Sequence, residues 1–137
     1  MTRNDRKCLS QFELLMVIVI LGILAATALP KFVDLSGDAE QAAVDGVAGA
    51  AASAMSINYA GCSIARHDSS SVKCVKIKKC DEVGTILQGG LDSDYTPAVD
   101  TGADIGTTNG GTAICKVSKT VGSTTYKATF TGTSAGN

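Results

Sequence analysis

Tryptophan is absent from this 137-residue chain, Tyr and Phe number three each, and there is a single histidine, His67. So few aromatics leave a domain of this size a thin core that needs other support. One histidine excludes most of the common catalytic sets, because no nucleophile, base and orienting group assemble around it. It also has no second ligand at zinc spacing. An excess of positive charge is missing too. The formal net charge is −1, and nothing suggests a general nucleic-acid binder. Lys73, Lys76, Lys78 and Lys79, with Arg66, read as a solvated strand edge, since alternate strand residues face opposite ways. Asp92, Asp94, Asp100 and Asp104 lack the regular spacing and terminal Glu of a calcium loop. The expectation is a protein that is not an enzyme, with no cofactor, no metal and no nucleic-acid partner.

What the chain does have is one long apolar run, Leu14 to Leu29, stopping at Pro30. With Phe12 and Glu13 it forms an 18-residue stretch carrying one charge. As a helix it covers about 27 Å, close to the hydrocarbon thickness of a bilayer. A basic leader, Met1 to Cys8, holds Arg3, Arg6 and Lys7. The positive-inside rule therefore puts the N-terminus in the cytoplasm and the remainder outside. A secretory signal peptide is the rival, with Ala26-Thr27-Ala28 as a loose cleavage site. The length of the run and Glu13 argue against it. A carboxylate at the edge of such a segment costs about 2.5 kcal/mol or more at mid-bilayer, so it implies a partner.

Beyond the run, Leu35, Ala39, Ala43, Val47, Ala50, Ala54 and Ile57 recur at helical spacing, which predicts an amphipathic helix with this stripe facing the core. Pro30 kinks or loosens the helix without ending it, so one bent helix is expected from about Leu9 to Tyr59, ended by Gly61. Residues 72–78 read as a strand, 81–88 as a short helix, and 89–111 as mostly loop. Residues 112–118 and 124–131 read as a hairpin. The tail from Gly132 to Asn137 is expected to fray.

Of five cysteines, Cys8 falls in the leader, and Cys62, Cys74, Cys80 and Cys115 lie beyond the membrane. An even number there predicts two disulfides. Three pairings are open to sequence; Cys62–Cys74 with Cys80–Cys115 is the one expected.

The basic leader, the apolar helix opened by Glu13, and the block Gly22-Ile23-Leu24-Ala25-Ala26-Thr27-Ala28-Leu29-Pro30-Lys31-Phe32 resemble the superfamily of type IV pilins and type II secretion pseudopilins. The run Leu29 to Ala39 looks most like pilins of the mannose-sensitive haemagglutinin type. The strong resemblance covers Phe12 to about Ala50. It implies an α+β fold, a long N-terminal helix (a transmembrane half and an amphipathic half) packed on a small antiparallel sheet and stapled by disulfides. It implies a leader over 1–8, a transmembrane and assembly helix over 9–30, and a periplasmic or extracellular domain over 31–137. A membrane prepilin peptidase would cut between Cys8 and Leu9 and methylate the amine of Leu9. An assembly ATPase and an inner-membrane platform would then move subunits from the inner membrane into a helical filament at the cell surface, for adhesion or motility. Glu13 would pair with a neighbour's amine and set the register. Gly22 and Pro30 belong to the assembly helix. The sequence departs from the family at the cut, with Cys8 in place of Gly and Leu9 in place of Phe. A secretion pseudopilin and a membrane-anchored periplasmic module that never assembles are the rival functions.

Overall fold

The computed structural model describes residues 10–137, and the side chains of all of these except 29–34. Cys8 and Leu9, where the leader boundary is expected, lie outside the described residues, as does the side chain of Pro30. The fold is α+β. Helix α1 (Gln11–Ile64) is followed by a 3-10 turn (Cys80–Thr85) and the strands β1 (Tyr95–Thr101), β2 (Thr112–Val121) and β3 (Thr124–Thr133). The strands form one antiparallel sheet in the order β1-β2-β3. Helical backbone continues through residue 30. The chain divides into two units, Met1–Asp38 and Ala39–Asn137.

In the second unit, alternation along β2 and β3 sends Cys115, Val117 and Phe130 inward and leaves Thr112, Ile114, Thr129 and Thr131 outward. The inward set meets Val44, Ala48, Ala51 and Met55 of α1, with Ile77, Val83 and Ile105. Met55, Val44 and Val117 are almost wholly buried. Each such side chain contributes about 1.5–3 kcal/mol relative to exposure. Two polar links fix the helix to the sheet. Lys119 Nζ lies 3.0 Å from Glu40 Oε2, and Gln41 Nε2 donates to the Lys127 carbonyl at 3.0 Å. The bond to Glu40 holds the Lys119 ammonium above the usual lysine range. The disulfides join Cys62 to Cys74 and Cys80 to Cys115.

Several expectations are overturned. The α1 face that packs on the sheet is Val44, Ala48, Ala51 and Met55, and it continues into Asn58 and Cys62, which meet Val75, Cys74 and Ala135, whereas Leu35, Ala39, Ala43, Ala50 and Ile57 of the expected stripe are exposed. Both sets have helical spacing, and periodicity alone does not say which meets the sheet. Residues 72–78 are not a strand; they contribute one isolated bridge, Ile77 to Ala135. Cys74, Ile77 and Cys80 are buried while Lys73, Lys76, Lys78 and Lys79 are exposed. Burial at every third residue is incompatible with the period of two that a strand needs. The short helix is only the 3-10 turn. β1 falls inside the expected loop. β1 is an edge strand, where the missing N–H of Pro97 is tolerated, and its pairing with β2 shifts register after Val99.

The tail does not fray. Ser134 and Ala135 are fully buried, and the Ala135 N–H donates to the Ile77 carbonyl at 3.1 Å. Nor does Gly61 end α1. The helix continues to Ile64 and closes through Arg66 and His67, at φ 55° and 60°. Gly61 is needed for close approach instead, because a Cβ there would run into the Lys73 carbonyl oxygen. The Cys62–Cys74 bridge holds that carbonyl against the helix. Gly61→Ala is expected to cost roughly 1–3 kcal/mol, measured as a lower midpoint in urea. An unchanged midpoint would show that residues 72–75 give way freely.

Candidate assembly surface

In the first unit, Gln11–Ala28 is long and apolar enough to cross a membrane, and none of it is buried. Phe12 is 72% exposed, and Leu14, Leu15, Ile18, Leu21 and Ile23 are also open. Thr27 turns its hydroxyl back to the Leu24 carbonyl at 3.0 Å, which removes a free polar group from this surface. At the start of the helix the Ser10 N–H donates to Glu13 Oε2 at 2.9 Å, and the Glu13 N–H donates to Ser10 Oγ at 3.3 Å. This reciprocal pair is a capping box, and it satisfies donors that the first turn otherwise leaves open. The pattern Ser10-x-x-Glu13 is readable in sequence. It gives Glu13 a local role beside any role toward a partner. A methyl added at Gly22 would meet nothing within 4 Å.

The second unit carries its own uncovered face. Ala39, Ala42, Ala43, Gly46, Gly49, Ala50, Ser53, Ile57, Ala60 and Ile64 are exposed, and Asp45 is the one charged residue among the exposed positions from Ala39 to Ile64. Ser53 and Ser63 donate to carbonyls four residues back, at 3.0 and 2.9 Å. Their hydroxyls therefore add little polarity to the face. Gly46 and Gly49 have open space where a side chain would stand. A helix-interior Gly costs about 1 kcal/mol relative to Ala, and packing within the chain does not require either one. The face borders an open apolar groove of about 570 Å³ lined by Ala50, Ile57, Val72, Val75, Ile86 and Leu87. Ile57 is 73% exposed and Val72 fully so.

Glu13 and Gly22 lie on α1 more than two turns apart, so no compact site joins them. Cys62, Cys74, Cys80 and Cys115 are brought together as two bridges. His67 Nδ1 accepts the Gly136 N–H at 3.3 Å. Asp104 Oδ1 accepts the N–H groups of Cys80 and Ile105, and Asp100 faces Lys116 at 3.6 Å. Among the described residues no group of three or more His, Cys, Asp or Glu converges as a metal site would.

No protein-family model matches the chain. No solved structure matches it either. The chain is similar to PilA5, the major component of the type IV narrow pilus of Thermus thermophilus, with 42% identity over 84 residues. The match covers 61% of this chain and spans 62% of the relative's length. This similarity supports the resemblance to type IV pilins.

Proposed function

We propose that this chain is a non-enzymatic structural subunit of a type IV pilus, anchored in the inner membrane through α1 and then packed against copies of itself through the same helix. One observation carries this reading: α1 presents apolar and nearly charge-free surface that its own chain leaves uncovered. Large exposed apolar patches mark membrane or protein contacts. A bilayer covers Gln11–Ala28 before assembly, and neighbouring subunits cover it afterwards. The face over Ala39 to Ile64 receives close neighbours because its side chains are small. The similarity to a pilus component supports the same reading. In this scheme 1–8 is the leader, 9–30 the anchor and 31–137 the external domain. A prepilin peptidase, an ATPase and a platform protein are the partners. Adhesion or motility is the task of the filament. The finer likeness to mannose-sensitive haemagglutinin-type pilins rests on the run Leu29 to Ala39.

The test is mass spectrometry of the N-terminus of protein sheared from the cell surface. A chain beginning at Leu9 with a methylated amine is expected. A chain confined to the inner membrane would instead identify a module that never assembles. Cys8→Gly is expected to speed leader removal, because the smaller residue lets the peptidase approach the backbone. An unchanged rate in a pulse-chase would show that Cys8 is no obstacle.

A further inference from the structure

The loop before β2 contains Asn109-Gly110, a pair with intrinsic chemistry of its own. In an Asn-Gly sequence the glycine nitrogen can attack the Asn side-chain carbon. A bond forms between Gly110 N and Asn109 Cγ, the Cγ–Nδ2 bond breaks, and ammonia leaves with the Gly110 proton. Water then opens the cyclic imide to aspartate or isoaspartate. Glycine favours the step because no side chain shields its nitrogen and its backbone turns freely.

In this fold every group needed for the attack is engaged by the C-terminal tail. The Gly110 N–H donates to the Ser134 carbonyl at 2.9 Å. Asn109 Nδ2 donates to the Asn137 carbonyl at 2.8 Å, and Asn109 Oδ1 accepts the Asn137 N–H at 3.0 Å. The first bond disfavours loss of the Gly110 proton. The other two restrict rotation of the side-chain amide. The tail is itself tied down: Asn137 Nδ2 donates to the Ile77 carbonyl at 2.9 Å and to Ser134 Oγ at 2.8 Å.

We infer that Asn109-Gly110 is a latent deamidation site kept silent by the docked tail. The product would not restore the clasp. A carboxylate at position 109 has no donor for the Asn137 carbonyl, and an isoaspartyl link lengthens the backbone. Each conversion would therefore leave a lasting record that the tail had opened.

The test follows conversion at Asn109 by peptide mapping of the purified full chain at mildly alkaline pH. The folded wild type, the same chain unfolded in denaturant, and the folded variants Asn137→Ala and Gly136→Ala are compared. Asn137→Ala removes the side-chain bonds by which Asn137 ties itself to Ile77 and Ser134. Gly136→Ala places a methyl 3.1 Å from Cys74 Sγ at a residue with φ 71°, and so strains the tail by a different route. The folded wild type is expected to convert about tenfold or more slowly than the unfolded chain, with the variants between them. A wild type as fast as the unfolded chain would overturn the proposal, and so would variants as slow as the wild type.

Discussion

Glu13→Val is expected to leave the chain in the membrane, leave leader removal working, and abolish or sharply reduce surface filaments. Removing a charge from an anchor eases its partitioning, and in the proposed scheme the cut depends on the residues around Cys8 and Leu9. Assembly is different. In the proposed filament, loss of the carboxylate leaves the amine of a neighbouring subunit unpaired in an apolar environment, and breaking one side of a buried pair costs roughly 3–5 kcal/mol. That penalty recurs at every subunit contact. The capping box adds a second, smaller effect, since Glu13→Val leaves the Ser10 N–H without its acceptor while Ser10 still caps the first turn. Glu13→Gln separates the two, because glutamine keeps the box but carries no charge. Both variants are expected to lose filaments in a shear preparation, with the membrane fraction blotted beside it. Normal filaments from Glu13→Gln alone would assign Glu13 to helix capping. Abundant filaments from both would make it a bystander.

Removing Cys80–Cys115 is expected to be the most damaging change to the folded domain. Both sulfurs lie in the core, and the bridge ties the 3-10 turn to the middle strand across a sequence separation of 35. A native disulfide in a small exported domain contributes about 2–5 kcal/mol, against a total stability of about 5–15 kcal/mol for a folded domain. The Cys62–Cys74 bridge closes a separation of only 12. Chain entropy alone makes it worth about 1 kcal/mol less. The double variant Cys80→Ala/Cys115→Ala should therefore unfold at lower urea than Cys62→Ala/Cys74→Ala. The reverse order would mean that the clasp at the end of α1, with Ala135 packed on it, matters more than the central staple.

The helix and the hairpin were legible because their patterns are long: an unbroken apolar run, then alternation on both sides of Gly122-Ser123. What failed was local or depended on distant partners. The segment Val72 to Lys78 is β-branched and apolar enough for a strand, yet its buried residues fall three apart. The Gly, Asp and Thr content of residues 89–111 hides β1, because sequence does not tell an edge strand from a loop. The small polar tail looked free. It is held by carbonyls of Ile77 and Gly111, which no local signal announces. Among the candidate site residues, the Ser10–Glu13 box was readable from spacing. The outward stripe of α1 was seen but read as core. A helix with two uncharged faces gives two equally good answers until the sheet chooses one.

The pairing of the cysteines has a consequence for how the domain is born. The two bridges are consecutive, neither nested nor crossed: Cys62 with Cys74, then Cys80 with Cys115. For a chain that emerges from a membrane N-terminal side first, the native partner of each unpaired thiol is the next thiol to appear. An oxidant that simply joins cysteines in order of arrival makes the correct product. No wrong bridge has to be broken by thiol–disulfide exchange, which begins only when a thiolate attacks an existing disulfide. If the domain is exported as proposed, oxidation in order of arrival suffices for the observed pairing without a disulfide isomerase.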